Sequence, residues 1–302
     1  MIVRNIGIVG YGSIGQKHHQ ILKSMNDDLQ FFIQTKQDDV KSSFKTLEEF
    51  STLDLDYIII SNPTSMHYET LKFLDGHFSN INFLIEKPLF ETFQPFQSQS
   101  NSYYVGYNLR FHSIISDMIE LIKGKRIISI AIKTYSYLPH WRKNIDYQSS
   151  ASALKTKGGG VLRDLSHEID LLNYLFGNLQ FNYADSRKIS NLEIETDDYL
   201  LTCGQLECGA PFSMELNYFS RFNSRELFIE TEEESIKLDI KNFTLTIIGK
   251  TESVAEYDNN INSSYQNMHQ AVMSNNVKNA CTLMQGMLVL QQIDQLESLS
   301  SS

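Results

Sequence analysis

Four ionisable side chains stand close together just after a run of three glycines. The segment 158–177 reads GGGVLRDLSHEIDLLNYLFG, and it carries Asp164, His167, Glu168 and Asp170. Asp164 and His167 are three residues apart, so a helix places them on one face near its N-terminus. Histidine titrates near neutral pH, which makes His167 a candidate general base. The alternative interpretation is a capped helix with surface acids and a hydrogen-bonded histidine.

The same segment predicts one continuous amphipathic helix. Its apolar residues recur at spacings of three and four and form one stripe, made of Leu162, Leu165, Ile169, Leu172 and Phe176. The glycines before the helix let the backbone approach a ligand without side-chain bulk.

A glycine-rich loop near the N-terminus follows an apolar run and precedes a helical pattern. It reads Gly10-Tyr-Gly12-Ser13-Ile14-Gly15, the G-x-G-x-x-G spacing of dinucleotide-binding loops. Gly10 permits a tight turn, Gly12 lets a pyrophosphate approach the backbone, and Gly15 lets helix and strand pack closely. Backbone N–H groups at the start of the helix then face the phosphates. The alternative is a glycine-rich turn without a ligand.

The residues after the second predicted strand indicate which nicotinamide cofactor this loop would bind. NAD-specific folds place an Asp or Glu about 20 residues after the loop, where it binds the ribose 2′-hydroxyl. This sequence has Thr35 and Lys36 there. A hydroxyl and a cation suit a 2′-phosphate, so we expect NADP(H) to be favoured, with NAD(H) as the alternative. In that alternative Lys36 is only a surface lysine, and Asp38 or Asp39 contacts the ribose through a longer loop.

Glu86, Lys87 and Pro88 stand where the fourth predicted strand ends. Ligands of open parallel sheets bind beyond the carboxyl ends of the strands, which makes Lys87 a candidate to face the nicotinamide. Proline forces an unusual turn, and a cis peptide there would fix the direction of the lysine. As a bare tripeptide, this sequence is more often a surface turn.

Two styles of secondary structure must position these residues. In the first part of the chain, apolar runs alternate with helical patterns, which predicts right-handed crossovers and a parallel sheet. Its predicted strands are 4–9, 31–34, 57–61, 83–86 and 103–107, and its predicted helices are 14–25 and 65–75.

The second part begins with a long predicted strand over 126–138, and the glycine-to-helix segment follows it. Consecutive strands between residues 192 and 250 then predict an open antiparallel sheet. A last helical stretch covers 263–297, and 91–102 is a connector of low complexity.

Composition excludes several classes of protein. The 302 residues are enough for two domains, and 36 acidic against 26 basic residues give a net charge of −10. That balance argues against nucleic acid as the main partner. The three cysteines are few and odd in number, which argues against a disulfide framework and indicates a reducing compartment.

Membrane and metal functions are also not expected. No apolar run approaches the roughly 20 residues of a membrane span. The N-terminus lacks the features of a signal peptide, so we expect a cytoplasmic protein. His18 and His19 are adjacent and diverge on a helix, so we expect no metal site there.

These motifs occur in the order seen in one family. They are the glycine loop, SNPTSMH at 61–67, EKP at 86–88, VGYNLRFH at 105–112 and the glycine-to-helix segment. On them, the chain resembles the glucose–fructose oxidoreductase, inositol dehydrogenase and MocA (Gfo/Idh/MocA) family over nearly its full length. The closing CTLMQGMLVLQQI segment also resembles that family's last helix.

The resemblance implies an α/β fold of two domains. Residues 1–110 would form a Rossmann domain with a parallel sheet, and 111–302 an α+β domain with an open, mostly antiparallel sheet. It also implies hydride transfer between a nicotinamide cofactor and a carbinol or carbonyl of a sugar or nucleotide-sugar. A homodimer or homotetramer would form through the second sheet.

Similarity to the family also assigns roles to residues. Lys87 and His167 would be the catalytic pair, and Asp164 would orient the substrate or the histidine. The cofactor would be contacted by Gly10, Gly12, Ser13, Ile14, Gly15, Thr35, Lys36, Asn62, Pro63, His67, Glu86 and Lys87. One departure is that Asp164 and His167 are one residue closer together than in the family.

Further substrate contacts are expected from two loops. Arg110 and His112 follow the fifth strand, and Trp141 and Arg142 stand in the loop 138–147. An aromatic ring and a guanidinium suit a sugar that carries carboxylate or phosphate, although a packed Trp with a surface Arg is equally consistent. This loop and the DLSHEID sequence resemble a subgroup of bacterial surface-sugar biosynthesis.

Two other functions fit the same scaffold. One is a glycosidase that oxidises and re-reduces its sugar with tightly held NAD and no net turnover of the cofactor. The other is a non-catalytic, nucleotide-sensing protein. The presence of both Lys87 and His167 argues against the non-catalytic alternative.

Overall fold

The computed structural model describes residues 4–97, 100–142 and 146–300. The chain divides into two compact units. The first comprises Met1–His112 and Ile261–Leu290, and the second comprises Ser113–Asn260 and Gln291–Ser302.

The strands, in chain order, are β1 (Asn5–Val9), β2 (Gln30–Gln34), β3 (Tyr57–Ile60), β4 (Asn82–Ile85), β5 (Ser102–Val105), β6 (Ile127–Tyr137), β7 (Gln180–Arg187), β8 (Tyr199–Gln205), β9 (Pro211–Asn217), β10 (Phe219–Thr231), β11 (Ser235–Asp239), β12 (Thr244–Ile248), β13 (Glu252–Glu256) and β14 (Cys281–Thr282). The α-helices are α1 (Ser13–Met25), α2 (Leu47–Phe50), α3 (His67–Asp75), α4 (Ser113–Ile122), α5 (Val161–Asp164), α6 (His167–Phe176), α7 (Ile261–Met273) and α8 (Leu283–Ser300).

The first unit contains a six-stranded sheet in the order β14-β5-β4-β3-β1-β2. The five strands β1 to β5 are parallel, and only β14 is antiparallel to its neighbour. Strand β3 is buried along its whole length, as expected for a parallel strand covered on both faces. This is the predicted Rossmann-like parallel sheet. The connector from β4 to β5 contains no helix in its described residues, 86–97 and 100–101, in line with its short length.

Helix α7 belongs to the first unit. Met268 and Val272 of this helix share one apolar core with Ile6, Ile8 and Leu22. The sequence-based division placed 261–290 in the second domain, whereas in the structure these residues belong to the first unit. The physical reason is that the apolar face of α7 packs against strands and helix from the beginning of the chain.

The second unit contains an eight-stranded sheet in the order β13-β12-β11-β10-β6-β9-β8-β7. All its strand pairs are antiparallel except β6 with β9. Along β6, Ile130 and Ile132 are buried, while the alternating Ala131 and Lys133 are less so. The mostly antiparallel sheet is therefore confirmed, and its two faces have different burial.

Three details differ from the sequence-based elements. The segment after the glycines is two helices, α5 and α6, because Ser166 N–H bonds the carbonyl of Arg163 and tightens the chain between them. The last helical stretch is also two helices, because Asn275 takes a left-handed conformation and residues 281–282 pair with β5. The sequence analysis did not predict strands β7, β13 and β14.

The ranges 4–97, 100–142 and 146–300 contain no helix long and apolar enough to cross a membrane.

Candidate functional site

The glycine loop links β1 to α1 and has the shape that a diphosphate requires. Gly10 has a φ of +87°, and a Cβ there would lie 2.4 Å from the backbone nitrogen of Asn62. A Cβ at Gly15 would lie 2.2 Å from the carbonyl oxygen of Gly10. At Gly12, by contrast, no described atom lies within 4 Å of a Cβ position. Helix α1 begins at Ser13 without a side-chain cap, so its first N–H groups suit an anion beside Gly12.

The exit of β2 brings two lysines to the loop that follows it. Thr35 is buried, and its hydroxyl accepts a hydrogen bond from the N–H of Gln37 at 3.3 Å. Lys36 is exposed. Asp38, the alternative ribose ligand, has its carboxylate 3.4 Å from Lys45 Nζ. Lys45, which was not among the expected contacts, therefore also lies at this loop, where it pairs with Asp38.

The exit of β3 is tied to the turn at Pro88. His67 is 1% exposed, and its Nε2 lies 2.9 Å from the carbonyl oxygen of Asn62. Its Nδ1 lies 3.2 Å and 3.1 Å from the carbonyl oxygens of Pro88 and Leu89. Burial lowers the pKa of His67, against the hydrogen bonds that favour the charged form. Asn62 is half-buried and Pro63 is exposed, so of these residues His67 is the one enclosed by protein.

The Glu86-Lys87-Pro88 turn directly follows β4, and the Lys87–Pro88 peptide is cis. Lys87 is partly exposed, whereas Glu86 is buried. Glu86 Oε1 lies 2.9 Å from His18 Nε2, and Glu86 Oε2 accepts the Lys87 N–H at 3.2 Å. Burial alone would raise the pKa of Glu86, but the hydrogen bond and charge of His18, together with Lys87, outweigh it and lower that pKa.

Two expected substrate contacts in the first unit are enclosed by protein. Arg110 and His112 are each 2% exposed. The Nη1 group of Arg110 donates to Gln285 Oε1 at 2.9 Å. This burial favours a packing role, and their contact with substrate stays a prediction.

In the second unit, the break between α5 and α6 sets the positions of Asp164 and His167. Asp164 is the last residue of α5, and His167 is the first residue of α6. The hydroxyl of Tyr218 donates to Asp164 Oδ2 at 2.6 Å. Tyr218 has no exposed surface, and burial and the negative charge of Asp164 raise its pKa well above the ordinary value. No sequence motif had marked Tyr218.

Trp141 and Arg142 lie in one groove of the second unit. The groove is shallow and partly open to solvent, and Leu138 and Tyr147 also line it. The Trp141 ring meets the Tyr218 ring edge-on, with centroids 5.1 Å apart. The loop thus approaches the partner of the helix aspartate, and its residues 143–145 lie outside the described part of the chain.

The glycine run makes room for a buried carboxylate. Gly160 has a φ of +122°, and a Cβ there would lie 2.1 Å from Asp197 Oδ1. Asp197 caps α5, because its Oδ2 accepts the Leu162 N–H at 3.1 Å and its carbonyl accepts the Val161 N–H at 3.2 Å. Burial raises the pKa of Asp197 to about 6. The glycines therefore serve the start of the helix, a role that the sequence did not reveal.

Glu168 anchors α6 to the sheet. It has no exposed surface, and its Oε1 accepts the Thr134 hydroxyl at 2.7 Å and lies 2.8 Å from Arg225 Nε. The residue after His167 is therefore held by β6 and β10. Within the described residues, no group of three or more His, Cys, Asp or Glu side chains could hold a metal ion.

Comparisons with known proteins agree with this geometry. Residues 4–101 match the family model described as an oxidoreductase family with an NAD-binding Rossmann fold. Residues 120–237 match the model described as the GFO/IDH/MocA C-terminal domain. Among curated proteins, none matches the sequence.

Several solved structures share the fold at low sequence identity. UDP-N-acetylglucosamine 3-dehydrogenase GnnA from Acidithiobacillus ferrooxidans is 16% identical, with a TM-score of 0.74 over 100% of this chain and 99% of that one. The WlbA dehydrogenase from Bordetella pertussis, in complex with NADH and UDP-GlcNAcA, is 14% identical, with a TM-score of 0.78 over 99% and 97%. A super-repressor mutant of Gal80p from Saccharomyces cerevisiae is 16% identical, with a TM-score of 0.81 over 99% and 96%.

The Asp197 carboxyl predicts a pH-dependent stability. Its pKa of about 6 in the folded chain lies above the ordinary 3.8, so the folded state holds this proton more tightly than the unfolded state does. The free energy of unfolding therefore falls as pH rises from about 4 through 6, by about 2 kcal/mol from this group. We expect Asp197→Asn to remove that fall, because an amide oxygen can still accept the Leu162 N–H.

Urea denaturation of both proteins between pH 4 and 7 measures this difference. Asp54→Asn, which changes an exposed carboxylate of the first unit, is the control and should follow the parent. Parallel curves for the parent and Asp197→Asn would contradict the prediction.

Proposed function

Because the chain belongs to the Gfo/Idh/MocA family of NAD-binding oxidoreductases, we propose that it transfers hydride between NADP(H) and a carbinol or carbonyl of a nucleotide-sugar. The observation that carries the proposal is the glycine loop, with open space at Gly12 and an uncapped helix start at Ser13. The Lys87 turn follows β4 of the same sheet. When bound, the cofactor supplies the hydride acceptor or donor.

The residues of the chain have separate roles in this proposal. Gly10, Gly12 and Gly15 shape the loop for the pyrophosphate, and the N–H groups of α1 bind it. Lys87 donates a hydrogen bond to the reacting oxygen of the substrate. His167 accepts the hydroxyl proton during oxidation and returns it during reduction.

The substrate class rests on the groove of the second unit. Arg142 supplies a guanidinium and Trp141 an aromatic face, which together suit a sugar attached to an anionic group. GnnA is described as a dehydrogenase of UDP-N-acetylglucosamine, and WlbA was solved with UDP-GlcNAcA. We carry that substrate class to this chain as a proposal, with a place in bacterial surface-polysaccharide synthesis.

A non-catalytic function is the second candidate. The observation that favours it is the likeness to Gal80p, which was solved as a super-repressor mutant. A glycosidase that uses its cofactor transiently also stays open. Such an enzyme would release sugar without any net change in NADPH absorbance.

The proposal also includes a homo-oligomer that forms through the sheet of the second unit. Tyr135, Tyr199 and Phe228 are only half-buried, on strands whose alternate residues form the core. We further propose a cytoplasmic location, since Cys203, Cys208 and Cys281 are all free thiols. Light scattering at micromolar concentration should give at least a dimer mass, and a monomer mass would remove the oligomer from the proposal.

Gly12→Ala tests the glycine loop without disturbing the fold. Gly12 has a φ of −72°, which alanine adopts readily, and a Cβ meets no described atom within 4 Å. We expect unchanged thermal stability but a dissociation constant for NADP⁺ raised by roughly tenfold or more, because the methyl group occupies the space of the pyrophosphate. Calorimetric titration measures it, with Gly76→Ala as the control. Equal binding by both variants would refute a diphosphate at this loop.

Titration with NADP⁺ and NAD⁺ separately tests the cofactor preference. We expect NADP⁺ to bind more tightly. Lys36→Met should weaken NADP⁺ binding roughly tenfold, through loss of one charge-assisted contact with the 2′-phosphate, and leave NAD⁺ unchanged. Lys23→Met, at the other end of α1, is the control. Tighter binding of NAD⁺ by the parent would overturn the NADP(H) preference.

Lys87→Met and His167→Ala test the catalytic roles. Each should lower kcat by roughly a hundredfold or more, the contribution expected of a proton-transfer group, with cofactor affinity retained. Steady-state kinetics on the best nucleotide-sugar from a screen measures kcat, and Lys72→Met on the exposed side of α3 is the control. Full activity in either variant would contradict the catalytic role assigned to that residue.

A further inference from the structure

Four buried polar side chains form a chain of contacts behind the Lys87 turn, within the first unit. Glu86 Oε1 lies 2.9 Å from His18 Nε2, and His18 Nδ1 lies 2.9 Å from His269 Nε2. His269 Nδ1 lies 2.9 Å from the hydroxyl of Tyr57. His18, His269 and Tyr57 have no exposed surface, and Glu86 is 7% exposed. The reaction proposed above uses neither of the two histidines, nor the tyrosine.

The carboxylate end of this chain sets the direction of its hydrogen bonds. Glu86 is ionised at neutral pH because its pKa lies below the ordinary value, burial being outweighed by His18 and Lys87. An ionised carboxylate only accepts hydrogen bonds, so His18 Nε2 must donate to Glu86. Burial lowers the pKa of His269 far below its ordinary value, so His269 is neutral and carries one ring hydrogen.

Two arrangements of the ring hydrogens satisfy every ring nitrogen. In the first, His269 Nε2–H donates to His18 Nδ1, and the hydroxyl of Tyr57 donates to His269 Nδ1. The second arrangement puts a second hydrogen on His18 and reverses both of these bonds. In both arrangements His18 Nε2 donates to Glu86, and His269 bonds the opposite side of the His18 ring.

We propose that His269 is a positioning residue for the Lys87 turn. Its Nε2 bonds His18 Nδ1 and holds the His18 ring in the orientation in which the other nitrogen, Nε2, donates to Glu86. That orientation matters because the His18 bond, together with the N–H and the charge of Lys87, compensates the buried charge of Glu86.

Glu86 connects this chain of hydrogen bonds to the Lys87 turn. Its second oxygen accepts the N–H of Lys87 at 3.2 Å. Gly106 leaves it room, since a Cβ there would lie 2.7 Å from Glu86 Oε1. The consequence for Lys87 rests on the proposed function, whereas the order of hydrogen bonds does not.

Helix α7 holds His269 in place independently of the histidine contacts. Asn82 donates to the Val272 carbonyl at 2.9 Å, and Asn267 donates to the Phe111 carbonyl at 3.2 Å. A change at residue 269 can therefore alter the hydrogen bond without moving the helix. Phenylalanine keeps the ring and removes both nitrogens, whereas the amide of glutamine can still donate to His18 Nδ1.

Nitrogen NMR of the full chain, labelled with ¹⁵N-histidine, tests the proposal at pH 7.5. In the parent, we expect His18 Nε2 to carry a hydrogen and His18 Nδ1 to show the shift of a hydrogen-bonded nitrogen. His269→Phe should lose the hydrogen-bonded shift of Nδ1, and His269→Gln should restore it. His77→Gln, at an exposed position two residues after α3, is the control and should leave the His18 signals unchanged. Loss of the assigned signals in His18→Gln identifies them.

Kinetics then tests the link to Lys87. We expect His269→Phe to lower kcat roughly tenfold, the effect of one buried hydrogen bond, with KM unchanged and with rescue in His269→Gln. A His18 Nε2 without a hydrogen in the parent, or a His18 Nδ1 shift unchanged by His269→Phe, would overturn the proposal. If the chain shows no activity with any substrate, the NMR results still decide the order of hydrogen bonds, so the two failures are distinguishable.

Discussion

The buried charge of Glu86 is the constraint on which the first unit's site depends. A carboxylate removed from water is costly unless hydrogen bonds compensate it. His18 and the N–H of Lys87 supply those bonds, and the missing side chain of Gly106 supplies the space. Lys87, which carries the proposed chemistry, thus directly follows Glu86, whose buried charge must be compensated by hydrogen bonds from the protein. Disorder of the turn would remove one of these two partners, the Lys87 N–H, from the carboxylate.

A second buried carboxylate organises the other unit in a similar way. Asp197 caps the two N–H groups that begin α5, and Gly160 leaves the space that the carboxylate occupies. Because α5 is short and ends at Asp164, the chain can restart as α6 at His167. Glu168 then fixes α6 to the sheet. In each unit, a proposed catalytic residue directly follows or precedes a carboxylate with little exposure.

The glycines of the two motifs differ in what occupies the space beside them. At Gly10 and Gly15 the glycine is required by neighbouring protein atoms, whereas at Gly12 the space beside the backbone is open. Gly160 belongs to the first kind, since Asp197 fills its space. Glycine type and spacing alone do not separate these cases, and only the open position has the geometry that a ligand needs.

By itself, the sequence determined the two-part fold, the parallel sheet, the glycine loop and the turn at Lys87. These features depend on local patterns: apolar runs, glycine spacing and proline act within a few residues of one another. The tertiary structure alone decided the place of α7, the break after Asp164, the cap by Asp197 and the partners of Glu86. Those features join residues far apart in the chain, such as His18 with His269, and no local pattern encodes a contact over that separation. Burial and the need to pair buried polar groups select such contacts only once the chain is folded.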